Sequence, residues 1–225
     1  MFRDFLSILF PRTCALCNQG LARGEGFICL KCIHQLPRYR HELYQDDIFL
    51  HFLQSYRYVA FYAFLKFYKK GITQKLLHQI KYNRMPELGE QMGYMLGLEV
   101  RARKTDPCID LVLPVPLHPK KKKKRGYNQA DYFARGIATA LETNWSAGEI
   151  VRIRNNETQT NKSRQERIEN VEGIFQVRHA HNLRDRHILL ADDVVTTGAT
   201  LESCAKAIQD AVDCKISLAA LAIAK

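Results

Sequence analysis

The 225-residue chain contains no run of about 18 apolar residues, so no segment of it qualifies as a membrane-spanning helix. It also lacks the marks of a secretory leader. The apolar stretch in the first 11 residues is short, Asp4 interrupts it, and no small-residue cleavage site follows. Phe2, Phe5, Leu6 and Leu9 recur at helical spacing instead, which predicts a short docking helix. Without an export signal the expected location is cytoplasmic and reducing, where clustered cysteines are more readily metal ligands than disulfides. There is no internal repeat and no low-complexity linker beyond one lysine run, which excludes a solenoid. Acidic residues are scarce: 23 Asp and Glu stand against 34 Lys and Arg, a formal net charge of +11. Such a surplus favours anionic partners such as phosphates, nucleotides or nucleic acid, although a merely soluble basic protein shares it.

The length suffices for one domain with a real core and a small attachment. Residues 12–36 form a cysteine segment with Gly20, Gly24 and Gly26 for tight turns, and 38–60 show no period. Residues 60–67 predict a strand. Ile72, Leu76, Leu77 and Ile80 mark one helix face, and Leu88, Met92, Met95 and Leu96 another. Residues 109–117 read as a buried strand broken by two prolines at its end. A basic loop at 120–125 follows, then a helix with Ala130, Phe133, Ala134, Ile137, Ala138 and Leu141 on one face. Residues 149–153 are β-like, 155–170 are polar and loop-like, and 187–191 form an apolar strand. Leu201, Cys204, Ala205, Ile208 and Val212 make a helix face, and 215–224 a last strand. Strands alternating with helices predict an α/β fold with a parallel sheet.

Two Cys-x-x-Cys knuckles, Cys14/Cys17 and Cys29/Cys32, are separated by eleven residues. That spacing lets four thiolates converge tetrahedrally on one Zn²⁺. A shell closed by four thiolates has no position left for substrate, so the expected role is structural. A pair of redox dithiols is the alternative. Cys204, on an apolar helix face, is expected to be a core residue.

The most specific motif is Asp192-Asp193-Val-Val-Thr196-Thr197-Gly198-Ala199-Thr200, placed after an apolar strand and before a helix. Backbone N–H groups at a helix start bind a phosphate well, and Gly198 lets the backbone come close. Thr196, Thr197 and Thr200 add hydroxyl donors, and two carboxylates can accept hydrogen bonds from neighbouring ribose hydroxyls. A solvated acidic turn before a capped helix would explain the threonines but not the paired acids.

This segment resembles the phosphoribosyl-pyrophosphate signature of type I phosphoribosyltransferases. Leu113-Pro-Val-Pro-Leu-His118, Arg125-Gly-Tyr-Asn-Gln129 and the string through Gln159, Arg167, Asn170 and Phe175 are similar to the ComF family, as is a zinc ribbon ahead of them. The resemblance runs from about residue 12 to the C-terminus and is weakest over 38–105, where Lys81-Tyr82 carries it. It implies a type I phosphoribosyltransferase fold with a central parallel sheet at 106–225. A helix and small four-cysteine zinc ribbon would occupy 1–37, and a hood-like or linking segment 38–105.

The resemblance also implies roles. Asp192 and Asp193 would bind the ribose hydroxyls, and Thr196, Thr197, Gly198, Ala199 and Thr200 the 5-phosphate. Val115, Pro116, Leu117, His118 and Arg125 would form the pyrophosphate loop, with Val115–Pro116 a candidate cis bond. That loop has no glycine, a departure from familiar type I enzymes. Residues 155–170 would close over the reaction centre, bringing Arg164 and Arg167 to pyrophosphate as catalytic groups. Mg²⁺ would accompany phosphoribosyl pyrophosphate. Lys120, Lys121, Lys122, Lys123 and Lys124 are candidates for single-stranded DNA, or for a mobile charged loop. The aromatic residues of 56–68 could stack bases, with core packing the better default.

Three functions fit. One is a phosphoribosyltransferase; another binds phosphoribosyl pyrophosphate or ribose 5-phosphate without turnover; the third handles single-stranded DNA with partners of the competence machinery, as the family's link to DNA uptake implies. A glutamine-dependent amidophosphoribosyltransferase is not expected, because that class has an N-terminal cysteine nucleophile and here Met1 is followed by Phe2.

Overall fold

A computed structural model describes residues 12–39, 58–103, 108–154 and 173–224. Its centre is a five-stranded sheet. Strands β1 (Tyr58–Phe67), β2 (Leu111–Pro114), β3 (Asn144–Trp145), β6 (His187–Val195) and β7 (Lys215–Ala224) lie in the order β1-β7-β6-β2-β3, and every neighbouring pair is parallel. A separate antiparallel hairpin joins β4 (Ile150–Arg152) to β5 (Phe175–Val177). The expected α/β fold with a central parallel sheet is what the chain forms. Strand β1, from the segment expected to link or hood, is an edge strand of that same sheet.

Alternation along the strands divides the core into two layers. Tyr62, Phe64, Leu189, Ala191, Ala219 and Leu221 face one side. There they meet helices α2 (Ile72–Tyr82), α3 (Pro86–Arg101) and α5 (Gln129–Leu141). Phe61, Ala63, Ile188, Leu190, Ile216 and Leu218 face the other side, against helix α6 (Ala199–Ala211) and the hairpin. Tyr58, Phe61, Tyr62 and Phe64 are buried, so these aromatic residues serve the core. Cys204 is fully buried under α6, as its helical spacing predicts.

Helices α3 and α5 cross unusually closely. A Cβ on Gly93 would collide with the Phe133 carbonyl, and one on Gly136 with the Glu90 carbonyl. The glycines therefore set the distance at which the two backbones meet. An ion pair between Arg135 and Glu90 closes the crossing at its exposed side.

Three expectations are corrected. The basic run is not a loop: Pro119–Arg125 is helix α4, with His118 as its N-cap and Gly126 as its left-handed C-cap at φ 90°. Proline at the first helical position, lysines of good helix propensity and a glycine stop outweigh the repulsion of adjacent charges. The Val115–Pro116 bond is trans, since no cis peptide occurs among the described residues. Strand β6 runs on to Val195 because β7 supplies Ala220, Ala222 and Ile223 as partners, so the paired acids lie within the strand and not beyond it. The docking helix expected in residues 1–11 and the loop 155–170, with Gln159, Arg164, Arg167 and Asn170, lie outside the described residues.

Candidate functional site

Adjacent residues on a strand point to opposite faces, and this separates the paired acids. Asp193 points toward α2 and α5. Its Oδ2 accepts Lys81 Nζ at 2.6 Å and Gln129 Nε2 at 2.7 Å, and its Oδ1 accepts the Val194 N–H at 2.8 Å. Asp192 turns to the α6 side, where Arg152 of β4 bears on it. Burial and then the Asp193 charge push the Asp192 carboxyl up to about 7, against the opposing pull of the Asp193 N–H and Lys81. Asp192 still keeps some exposure to solvent, so a ligand can reach it.

Past Val195 the chain turns into α6. Gly198 is its N-cap at φ 86°, a conformation that side chains with a Cβ rarely adopt, and Thr197 Oγ1 accepts the Ala199 N–H at 3.5 Å. A small hollow is lined by Asp192 and by all residues of 194–201. The first amides of a 13-residue helix point into this region with the positive end of its dipole. The expected phosphate turn therefore has the local shape of an anion site.

Residues 125–129 tie the surroundings together. Arg125 hydrogen-bonds Gln129 and lies 5.7 Å from the Tyr82 ring. Gly126 ends α4. The Tyr127 hydroxyl donates to the Ile80 carbonyl of α2. Buried Asn128 caps α5 and donates to the Val115 carbonyl at 3.1 Å, fixing the segment after β2. Gln129 reaches Asp193. This box joins α2, α4, α5, the proposed pyrophosphate loop and the acid pair.

Four cations from three segments, Lys81 of α2, Lys121 and Arg125 of α4 and Arg152 of β4, converge on this region. Lys121 and Arg125, four residues apart, are the half-buried face of α4, whereas Lys120, Lys122, Lys123 and Lys124 are exposed. Burial and then the charges of Arg152, Arg125 and Lys81 depress the Lys121 ammonium. Burial and then Arg152, Lys120 and Lys121 likewise depress the His118 imidazole. Like charges held together in this way favour a polyanion between them.

The cysteine cluster is a second, separate site. Cys14, Cys17, Cys29 and Cys32 bring their sulfurs within 4.8 Å of one another. Cys17 and Cys29 sulfurs are 3.7 Å apart, close to the ~3.8 Å edge of a tetrahedron with Zn–S bonds of about 2.3 Å. Against burial, the N–H groups of Cys29, Leu16 and Cys17 lower the Cys14 thiol to about 6, while burial and neighbouring sulfurs raise Cys32. Helix α1 (Leu30–Gln35) carries Cys32, and a bridge between Thr13 and Gly20 closes the first knuckle. The donor set and its spacing fit a metal ion. The ribbon docks on α3 through the Phe27 N–H, which donates to Gln91 Oε1 at 3.1 Å.

The structure thus gathers Asp192, Asp193, Thr196 to Thr200, Val115, His118 and Arg125 at one end of the sheet. It adds Arg152, which the sequence does not single out, and brings in Lys81 and Gln129, which the sequence offers only as matching positions, and Lys121, expected there as a nucleic-acid contact. Lys81 lies 112 positions from Asp193 in the chain, and nothing in its local pattern announces the ion pair. No helix among the described residues is long and apolar enough to cross a membrane.

The family model for the phosphoribosyl transferase domain matches residues 129–225. DNA utilization protein YhgH of Escherichia coli O157:H7 is 33% identical over 134 residues, covering 58% of this chain and 58% of that protein. Competence protein F of Haemophilus influenzae is 29% identical over 135 residues, covering 58% and 59%. Competence protein ComFC of Bacillus subtilis is 33% identical over 96 residues, covering 43% and 37%. The matches therefore span less than two thirds of these relatives. Among solved structures, the allosteric regulatory enzyme of purine biosynthesis overlaps 64% of this chain and 29% of its own at 13% identity, with a TM-score of 0.42, too loose to carry an argument. With its sheet, its acid-pair turn and these relatives, the chain is similar to ComF/ComFC proteins over 58% of its length, and its residues 129–225 match a phosphoribosyl transferase domain.

Proposed function

We propose that the chain binds phosphoribosyl pyrophosphate in the crevice between the 192–200 turn and the cations Lys81, Lys121, Arg125 and Arg152. The convergence of those four cations on an acid pair beside a helix N-terminus is the observation that carries the reading. Thr196, Thr197, Gly198, Ala199 and Thr200 hold the 5-phosphate. Asp192 and Asp193 accept the ribose hydroxyls, Asp193 with the acceptor capacity left by Lys81 and Gln129. Val115, Pro116, Leu117 and His118 carry the pyrophosphate, aided by Arg125 and by Arg164 and Arg167 of the 155–170 segment. Mg²⁺, when bound, neutralises pyrophosphate charge and eases its departure. Cys14, Cys17, Cys29 and Cys32 hold one structural Zn²⁺.

Transfer of the phosphoribosyl group requires exclusion of water from an oxocarbenium-like centre. The names of its relatives support a role for this chain in competence or the use of DNA. The test is a titration of the full chain with phosphoribosyl pyrophosphate, with and without Mg²⁺, followed by a pyrophosphate-release assay over a panel of bases. Magnesium-dependent binding supports the reading, and its absence contradicts it. Binding without release favours a non-catalytic sensor.

A second reading rests on the exposed lysines of α4. Lys120, Lys122, Lys123 and Lys124 present cations outward beside the crevice, suited to the backbone of single-stranded DNA. Replacing all four with glutamine is expected to flatten the salt dependence of strand binding, by a log–log slope of about 0.7 for each phosphate no longer neutralised. An unchanged slope removes this reading.

A further inference from the structure

The cysteine ribbon meets helix α2 along a groove that the proposed ribose-phosphate crevice does not use. Two hollows, of about 480 Å³ and about 430 Å³, share Leu16, Lys70 and Lys75 in their walls and so form one groove. One wall is the first knuckle, from Ala15 to Asn18, and Cys17 and Cys32 place its start at the cysteine cluster. The other wall is the turn after β1 and the outer side of α2, from Lys70 to Gln79. Leu76, Leu77 and Ile80 turn the opposite side of α2 into the core. Lys81, which meets Asp193, does not line the groove.

Its lining combines a small apolar floor with unanswered positive charge. Leu16 and Ile72 are half-buried, and Lys70 and Lys75 are exposed. Neither lysine side chain has an ion-pair or hydrogen-bond partner among the described residues, and no described acid lines the groove. Lys70 also holds a left-handed backbone at φ 61°, a conformation that costs a side chain with a Cβ and is kept at functional positions more often than elsewhere. Gln74 Oε1 accepts the Lys70 N–H at 2.6 Å, and Gln79 Oε1 accepts Asn83 Nδ2 at 2.8 Å. Each of those side chains therefore keeps its amide N–H groups for a ligand. No Phe, Tyr or Trp lines the groove, and the His78 ring lies tilted against Tyr82 at 5.0 Å.

We infer that this groove docks a partner protein through a short acidic segment in which an apolar residue stands between carboxylates. The apolar side chain sits on Leu16 and Ile72, the carboxylates meet Lys70 and Lys75, and Gln74 and Gln79 donate to the segment's backbone. Charge complementarity selects this occupant. A second copy of the chain would bring its own net charge of +11 to a cationic groove. A single nucleic-acid strand would find no ring on which to stack its bases. The interaction recruits a protein and uses none of the residues that the ribose-phosphate reading needs.

The test measures binding of the full chain, by fluorescence anisotropy, to a panel of short labelled peptides in which Glu or Asp alternates with Leu, Ile or Phe. Each peptide has two controls, one with Gln and Asn in place of its acids and one with Ser in place of its apolar residues. An oligothymidylate is the nucleic-acid probe. Acidic peptides of the panel are expected to bind, and their Ser controls about tenfold more weakly. Lys70→Gln combined with Lys75→Gln should weaken peptide binding about fivefold. Arg184→Gln combined with Lys215→Gln removes the same charge from exposed positions outside the groove and should change little. Lys70→Gly suits the left-handed backbone, so it is expected to melt no lower than the parent while binding the peptide more weakly. The inference is overturned if no acidic peptide binds, if either control binds as tightly as its parent peptide, or if the two double variants lose affinity equally. It is equally overturned if the loss of Lys70 and Lys75 abolishes oligothymidylate binding and leaves peptide binding intact, which makes the groove a nucleic-acid surface.

Discussion

Asp192 and Asp193 are neighbours in the chain with opposite tasks in the fold. Asp193 is a buried acid matched to Lys81 at 2.6 Å. Lys81→Met leaves that carboxylate without its cation. The expected loss is about 2–3 kcal/mol in urea unfolding, toward the low end for broken buried pairs because Lys81 keeps some access to water. Asp192 is held up to about 7 from an ordinary 3.8 by burial and by Asp193. The folded chain therefore keeps a proton that the unfolded chain has already released between those values. Stability falls as pH rises from about 4 toward about 7 and levels off above. Asp192→Asn removes the cost, so the variant is expected to melt higher than the parent at pH 8, by on the order of 2 kcal/mol of stability, and to match it near pH 4. The same substitution should weaken phosphoribosyl-pyrophosphate binding. A residue whose removal stabilises the fold and impairs the ligand is kept for the ligand. Equal melting of parent and variant at both pH values would remove Asp192 from that role.

At the scale of elements, the crossing of α3 and α5 depends on hydrogen atoms where other residues have a Cβ. Gly136→Ala drives a methyl group into the Glu90 carbonyl and is expected to cost about 2–3 kcal/mol by thermal or urea denaturation. Gly148→Ala, where nothing lies within 4 Å, is the neutral control. A Gly136→Ala protein as stable as the parent would mean that the helices can separate freely. Strand β7 was legible in the sequence to the residue, because a run from Lys215 to Ala224 that is apolar from Ile216 on except at Ser217 suits a strand buried on both faces. Charge density hides helix α4, although Pro119 and Gly126 carry its start and stop signals. The glycines at 89, 93 and 97 recur every four residues and put one small face on α3, a pattern visible in the sequence once the helix is known. Its partner on α5 was not visible, because Gly136 stands alone there.

On the scale of the whole molecule, the N-terminal ribbon is part of the core. Cys14, Ile28 and Leu36 are buried together with Tyr62, Leu76 and Met92. Metal bound by the four cysteines therefore supports more than its own knuckles. Cys14→Ser, or chelation, is expected to release zinc and lower the melting temperature of the full chain, with elemental analysis and calorimetry as the measurements. Zinc-free protein of unchanged stability would contradict this. The ribbon and the 192–200 turn were readable because each is local: two knuckles, or one strand-turn-helix, fit within about 20 residues. The cation set was not readable, since Lys81, Lys121, Arg125 and Arg152 meet only after the sheet has brought β1, β2 and β6 into order. That convergence is the central claim, and calorimetric titration with phosphoribosyl pyrophosphate and Mg²⁺ tests it most directly, comparing the parent, Lys121→Gln and Lys124→Gln. Both substitutions remove one charge from α4, but Lys121 faces the crevice and Lys124 faces solvent. The account predicts binding by the parent, a loss of about tenfold in Lys121→Gln and little change in Lys124→Gln; no binding by the parent, or equal losses in the two variants, would contradict it.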